Sequence, residues 1–122
     1  MSKFQFQLES LLAKEIFNDV LVRIIKGKEL TLNYFELKTR EANIPIHIHP
    51  VEHLVVVLEG KIKFLFEDQE IILNEKDCLF VPAKKSHTAE VLSEPVKALE
   101  IFSITEDEYY ERCLTASNIL TG

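Results

Sequence analysis

The four histidines of this 122-residue chain fall at spacings that let all of them meet around one metal ion. His47, His49 and His53 lie in "IPIHIHPVEHLVVVLEG", and His87 lies in "FVPAKKSHTAEV". Side chains alternate along an extended strand, so His47 and His49, separated by one residue, share a face. His53 follows a corner marked by Pro50 and opens a strongly apolar strand. His87 follows a second corner, marked by Pro82, again at the mouth of a strand. Imidazole is the commonest protein ligand for first-row transition metals, so the four read as one metal centre inside a β-barrel. The competing reading makes them solvent-exposed turn residues. Clustered in a buried place without a metal, they would repel one another when protonated.

The elements that must position them are short strands. From about Val20 onward, extended segments alternate with polar turns: "VLVRIIK", "ELTLNYFEL", "IPIHIH", "HLVVVLE", "KIKFLF", "EIIL", "CLFV", "HTAEVL" and "VKALEIFSI". Gly60 predicts a sharp bend from which "KIKFLF" returns, and "SEP" separates the last two strands. Residues 54–58 and 71–73 are apolar on both faces. One face fills a barrel interior; the other needs cover from a second sheet, the N-terminal segment or another subunit. "LESLLAKEIF" predicts a short helix or an extended arm. "TEDEYYERC", with Thr105 as N-cap and acids in its first turn, predicts a short C-terminal helix. Eight or nine strands at this spacing predict an all-β jelly roll or small barrel.

Length allows one domain, 1–122, with the barrel over about 20–104. The formal charge of −6 argues against nucleic acid or an anionic membrane surface as partner. No apolar run approaches the ~20 residues that span a bilayer. The charged N-terminus does not read as a secretory signal. Two cysteines make no disulfide framework, so a cytoplasmic protein with reduced thiols is expected, Cys78 buried and inert in "CLFVP".

At these residues the chain resembles the cupin superfamily, whose first motif reads G-x5-H-x-H-x3,4-E-x6-G. In that register stand His47, His49, then His53 at the usual glutamate position, then Gly60. The second motif, G-x5-P-x-G-x2-H-x3-N, aligns with Pro82 and His87. Glu41, Lys76 and Lys84 replace motif glycines, and Val91 replaces the asparagine. The literal match covers residues 41–91, while the strand pattern suits a single-domain, RmlC-like cupin jelly roll (a double-stranded β-helix) along nearly the whole chain. The resemblance implies one divalent transition metal, with Fe, Mn, Ni, Cu, Co and Zn all compatible. Histidine at position 53 keeps a lone pair and a comparable reach, so the site is expected to be four-histidine. Four neutral imidazoles leave the charge of the metal uncompensated, which favours an anionic ligand.

Small metal cupins also carry a C-terminal strand resembling "LDVFSP", whose acid reaches toward the pocket. The corresponding string here is "LEIFSIT", in which Glu100 and Phe102 share parity. Glu100 facing the pocket would serve as a general base; facing out, it is an ordinary edge glutamate. Where uronate-linearising members place an arginine to clamp a carboxylate, this chain has Glu106, which speaks against uronates. Lys84 and Lys85 read as a solvated turn. The leading expectation is a metal-dependent enzyme for a small oxygenated (sugar-, uronate- or diketone-like) molecule, using proton-transfer or dioxygenase chemistry. The alternatives are a non-catalytic cupin that binds a small ligand and metal, and a barrel that the metal merely staples. The doubly apolar strands, with the family's habit of packing sheets between subunits, predict a homodimer.

Overall fold

The computed structural model of the protein describes residues 2–42, 44–47, 51–103 and 117–119. Their regular elements are a 3-10 turn, Leu8–Ser10, and nine strands. The strands are β1 Lys14–Phe17, β2 Val20–Lys26, β3 Leu30–Leu37, β4 Ile44–His47, β5 His53–Phe66, β6 Gln69–Leu73, β7 Cys78–Val81, β8 His87–Ser103 and β9 Ser117–Ile119. Branched and aromatic residues dominate β2, β3 and β5, as a pleated, half-buried surface requires. The all-β jelly roll expected from the pattern is the observed architecture. The expected C-terminal helix falls outside the described residues. No helix among the described residues is long and apolar enough to cross a membrane.

Two long strands make the roll. The first half of β8 pairs with β4 and with the second half of β5; its second half pairs with β3 and the first half of β5. β6 and β7 then add to opposite ends of β5. Each long strand therefore belongs to both limbs of a folded-over sheet. The bend lies where β5 and β8 cross. Gly60 sits there at φ +85°, and a Cβ on it would stand 2.3 Å from the Pro95 carbonyl oxygen. Only glycine fits such an approach. The expected hairpin at Gly60 is thus corrected: the chain bends but continues as one strand. "HTAEVL" and "VKALEIFSI" are likewise one strand, joined through the residues read as a separator.

Period-2 alternation decides what the roll encloses. Val20, Val22 and Ile24 of β2, Phe35 and Leu37 of β3, Val55 and Val57 of β5, and Val96 and Ala98 of β8 are all buried in one core. The outer face over β2, β3 and β8 is covered by the N-terminal segment. The Tyr34 hydroxyl donates to Glu9, Arg23 Nε donates to the Leu11 carbonyl at 3.2 Å, and Lys97 Nζ lies 3.4 Å from Glu9. Cys78 corrects the buried thiol expected of it. It is exposed, because Leu79 and Val81 hold the inward positions of β7.

Candidate metal centre

His53 opens β5 with inward parity, on the same face as Val55 and Val57, and is 3% exposed. His87 opens β8 and is also 3% exposed. Their ring centres stand 5.6 Å apart. With metal–nitrogen bonds of about 2.1 Å, two imidazoles on one ion place their ring centres roughly 4.5–6 Å apart. The Nδ1 atom of His87 lies 3.0 Å from the Lys85 carbonyl oxygen. A carbonyl only accepts, so Nδ1 carries the proton and Nε2 keeps the lone pair, the tautomer a metal ligand requires. Phe102 meets His53 edge-on at 6.2 Å, and Phe64 lies 6.3 Å from the His87 ring. Apolar rings therefore wall both imidazoles.

Glu100 points inward. It is 7% exposed, with Oε2 3.4 Å from His53 Nε2 and Oε1 accepting a hydrogen bond from Asn33 Nδ2 at 3.1 Å. The two faces open to it in the sequence are thereby decided, and Phe102, two residues on, is buried with it. A cavity of about 40 Å³ lies between Glu100 and His87, its other walls being apolar groups such as Phe35, Val55, Phe64 and Ala98. On the far side of His87 an open cleft of about 670 Å³ runs between the β5–β6 turn and the start of β8. It is lined by Phe66, Glu67, Gln69, Glu70, Ser86 and Thr88 among others. No motif marks those residues. They reach the site because β5 and β8 are long enough to bring the Glu67–Asp68 turn beside His87. Lys85 at this rim is tied to Glu67 at 2.6 Å, while Lys84 is exposed.

The described donors fit a metal in part: two imidazoles stand at ligand spacing with a carboxylate beside one of them, but no group of three or more ligand-type residues among the described residues stands close enough to hold an ion by itself. The remaining candidates lie elsewhere. His47 is the register partner of His87 on β4, and its side chain is outside the described part of the molecule. His49 lies outside the described residues altogether. Glu52 is exposed beside His53, as expected of a residue of opposite parity.

The cupin domain family matches residues 33–102, a span that includes all four histidines, Asn33, Glu100 and Phe102. The chain is a cupin. No curated protein matches its sequence, but solved cupin structures do. A cupin superfamily protein from Desulfitobacterium hafniense DCB-2 is 26% identical, with a TM-score of 0.65 over 75% of this cupin and 84% of that chain. KdgF from Halomonas sp. is 18% identical, with a TM-score of 0.75 over 85% and 96%. The polyketide cyclase RemF from Streptomyces resistomycificus is 18% identical, with a TM-score of 0.71 over 97% and 100%. The last two likenesses are of fold.

Proposed function

We propose that this cupin holds one divalent transition metal on His47, His49, His53 and His87 and is an enzyme for a small oxygenated molecule, with Glu100 moving a proton. The observation that carries the reading is the buried pair His53 and His87, set at ligand spacing, with the proton of His87 already committed to the Lys85 carbonyl. A bound divalent ion supplies Lewis acidity toward a carbonyl or hydroxyl oxygen. Glu100 sits beside His53 at the wall of the inner cavity, where its Oε2 takes a proton from the carbon or hydroxyl next to that oxygen and returns it. Phe35 and Phe64 exclude water from the same space. RemF, by its name a polyketide cyclase, supports an enzymatic role for a barrel of this shape.

A second reading, a binding module without turnover, is favoured by one observation: Oε1 of Glu100 already accepts from Asn33 and Oε2 is turned toward His53 Nε2 at 3.4 Å. The exposed thiol of Cys78 suits a reducing, cytoplasmic setting. The working molecule in this reading is a homodimer.

Elemental analysis of freshly purified protein tests the metal, with an absorption spectrum reporting oxidation state and coordination. The expected result is about one transition metal per chain in an open site, and a chain that neither carries nor takes up metal sinks the proposal. Glu100→Gln then separates the two readings. An enzyme, assayed at saturating metal, loses turnover by about 100-fold or more, whereas a binding module shows no turnover to lose. Oxygen uptake by the iron-loaded protein marks dioxygenase chemistry, and turnover with zinc alone excludes it.

A further inference from the structure

Asn33 belongs to no motif, yet it is one of the most deeply buried polar residues described, at 1% exposure in the middle of β3. Its inward position follows from parity with Thr31, Phe35 and Leu37. In register it stands between Ile24 of β2 and Glu100 of β8, so the carboxylate it meets is its neighbour across the sheet. A leucine would fill that place without the desolvation that an amide brings. The amide is used on one side only: Nδ2 donates to Glu100 Oε1 at 3.1 Å, and Oδ1 has no hydrogen-bond partner among the described residues. Beyond Glu100 the line continues to His53, whose Nε2 is 3.4 Å from the other carboxylate oxygen.

We propose that Asn33 is a positioning residue of this site, holding Glu100 by one oxygen so that the other stays turned toward His53. The inference rests on the reading of Glu100 and His53 as site residues. An unrestrained glutamate side chain samples several rotamers, and a carboxylate tied at one oxygen presents the second in a single direction. A carboxylate beside Nε2 in turn favours the tautomer with the proton on that nitrogen, leaving Nδ1 as the lone-pair atom. Outer partners of this kind tune metal affinity through the ligand they orient.

The test compares wild type, Asn33→Leu, Glu100→Leu and the double variant, with Asn33→Ser standing in should the leucine variant not fold. Cobalt(II) binding is read from the absorption spectrum, and the tautomer of His53 from nitrogen–proton correlation spectra of the metal-free protein at one pH. Asn33→Leu is expected to weaken cobalt affinity by about 10–100-fold and to leave His53 as a mixture of tautomers. The double variant should be no worse than Glu100→Leu, because Asn33 acts through that carboxylate. An unchanged His53 tautomer and unchanged affinity overturn the proposal, as do losses that simply add. Should wild type bind no cobalt, the metal reading fails, and the His53 tautomer alone still decides whether Asn33 positions it.

Discussion

Tyr34 faces the outside of the barrel and is nevertheless 2% exposed, its hydroxyl donating to Glu9 on the 3-10 turn and its ring lying under the Arg23 guanidinium at 5.6 Å. Burial first, and then the hydrogen bond to the Glu9 carboxylate, push the phenol above its ordinary value of 10; Glu9 and Glu36 face it with negative charge, opposed by Arg23. The same hydrogen bond is the main cause that holds Glu9 below its ordinary 4.5, with Lys97 assisting. A phenol raised in the folded state stabilises below about pH 10 and loses that contribution as the pH climbs past it. A carboxylate lowered in the folded state stabilises above about pH 4.5 and loses it as the pH falls. Tyr34→Phe is therefore expected to cost about 1 kcal/mol near neutrality and to lose stability less steeply than wild type in both flanks. Urea unfolding from pH 4 to pH 11 measures this. Curves that stay parallel across the whole range would show that the contact with Glu9 contributes nothing.

The crossing of β5 and β8 makes the sharpest demand on an element. The atom that a Cβ at Gly60 would strike is a backbone oxygen, which cannot swing aside as a side chain does, and φ there is +85°. Left-handed backbone alone costs an L-residue about 1–2 kcal/mol, and the clash adds to it. Gly60→Ala should therefore lose about 3 kcal/mol or more, read as a fall in the thermal midpoint. A loss below 1 kcal/mol would mean that the corner has room to open. The inward faces of β2, β3, β5 and β8 were legible because alternation states them directly. The continuity through Gly60 was not, since a glycine at a bend looks the same whether the chain reverses or crosses to the other limb. Lys76 and Lys84 teach the complementary lesson. They stand where the family's motif has glycine, and both keep the left-handed backbone, at φ 71° and 64°. The turn geometry outlives the residue that usually permits it. Of the candidate site, His53 and His87 were readable from spacing, whereas parity paired Glu100 with Phe102 and left open which face the two would take. Asn33 was not readable, because one asparagine in an apolar strand carries no pattern until its neighbour across the sheet is known.

At the scale of the whole molecule, the outer face of the limb that carries the site remains apolar. One register row runs Leu32, Ile101, Leu54 and Phe80, and the next runs Tyr34, Leu99, Val56 and Cys78. None of these eight positions is charged, in a chain where 28% of residues are. The N-terminal segment covers the end at Tyr34, while Leu54, Leu58 and Phe80 stay 39%, 42% and 53% exposed. A second copy seated there would bury the remaining area of three side chains from each partner, about 10–16 kcal/mol over the two partners. Association itself costs on the order of 4–15 kcal/mol, so this face sits near the balance point, and one buried charge tips it. Wild type is expected to sediment as a dimer and Phe80→Glu as a monomer, with metal content unchanged because Phe80 points away from His53 and His87. Identical sedimentation of the two proteins would move the interface elsewhere. Loss of metal along with the dimer would mean instead that the partner completes the site.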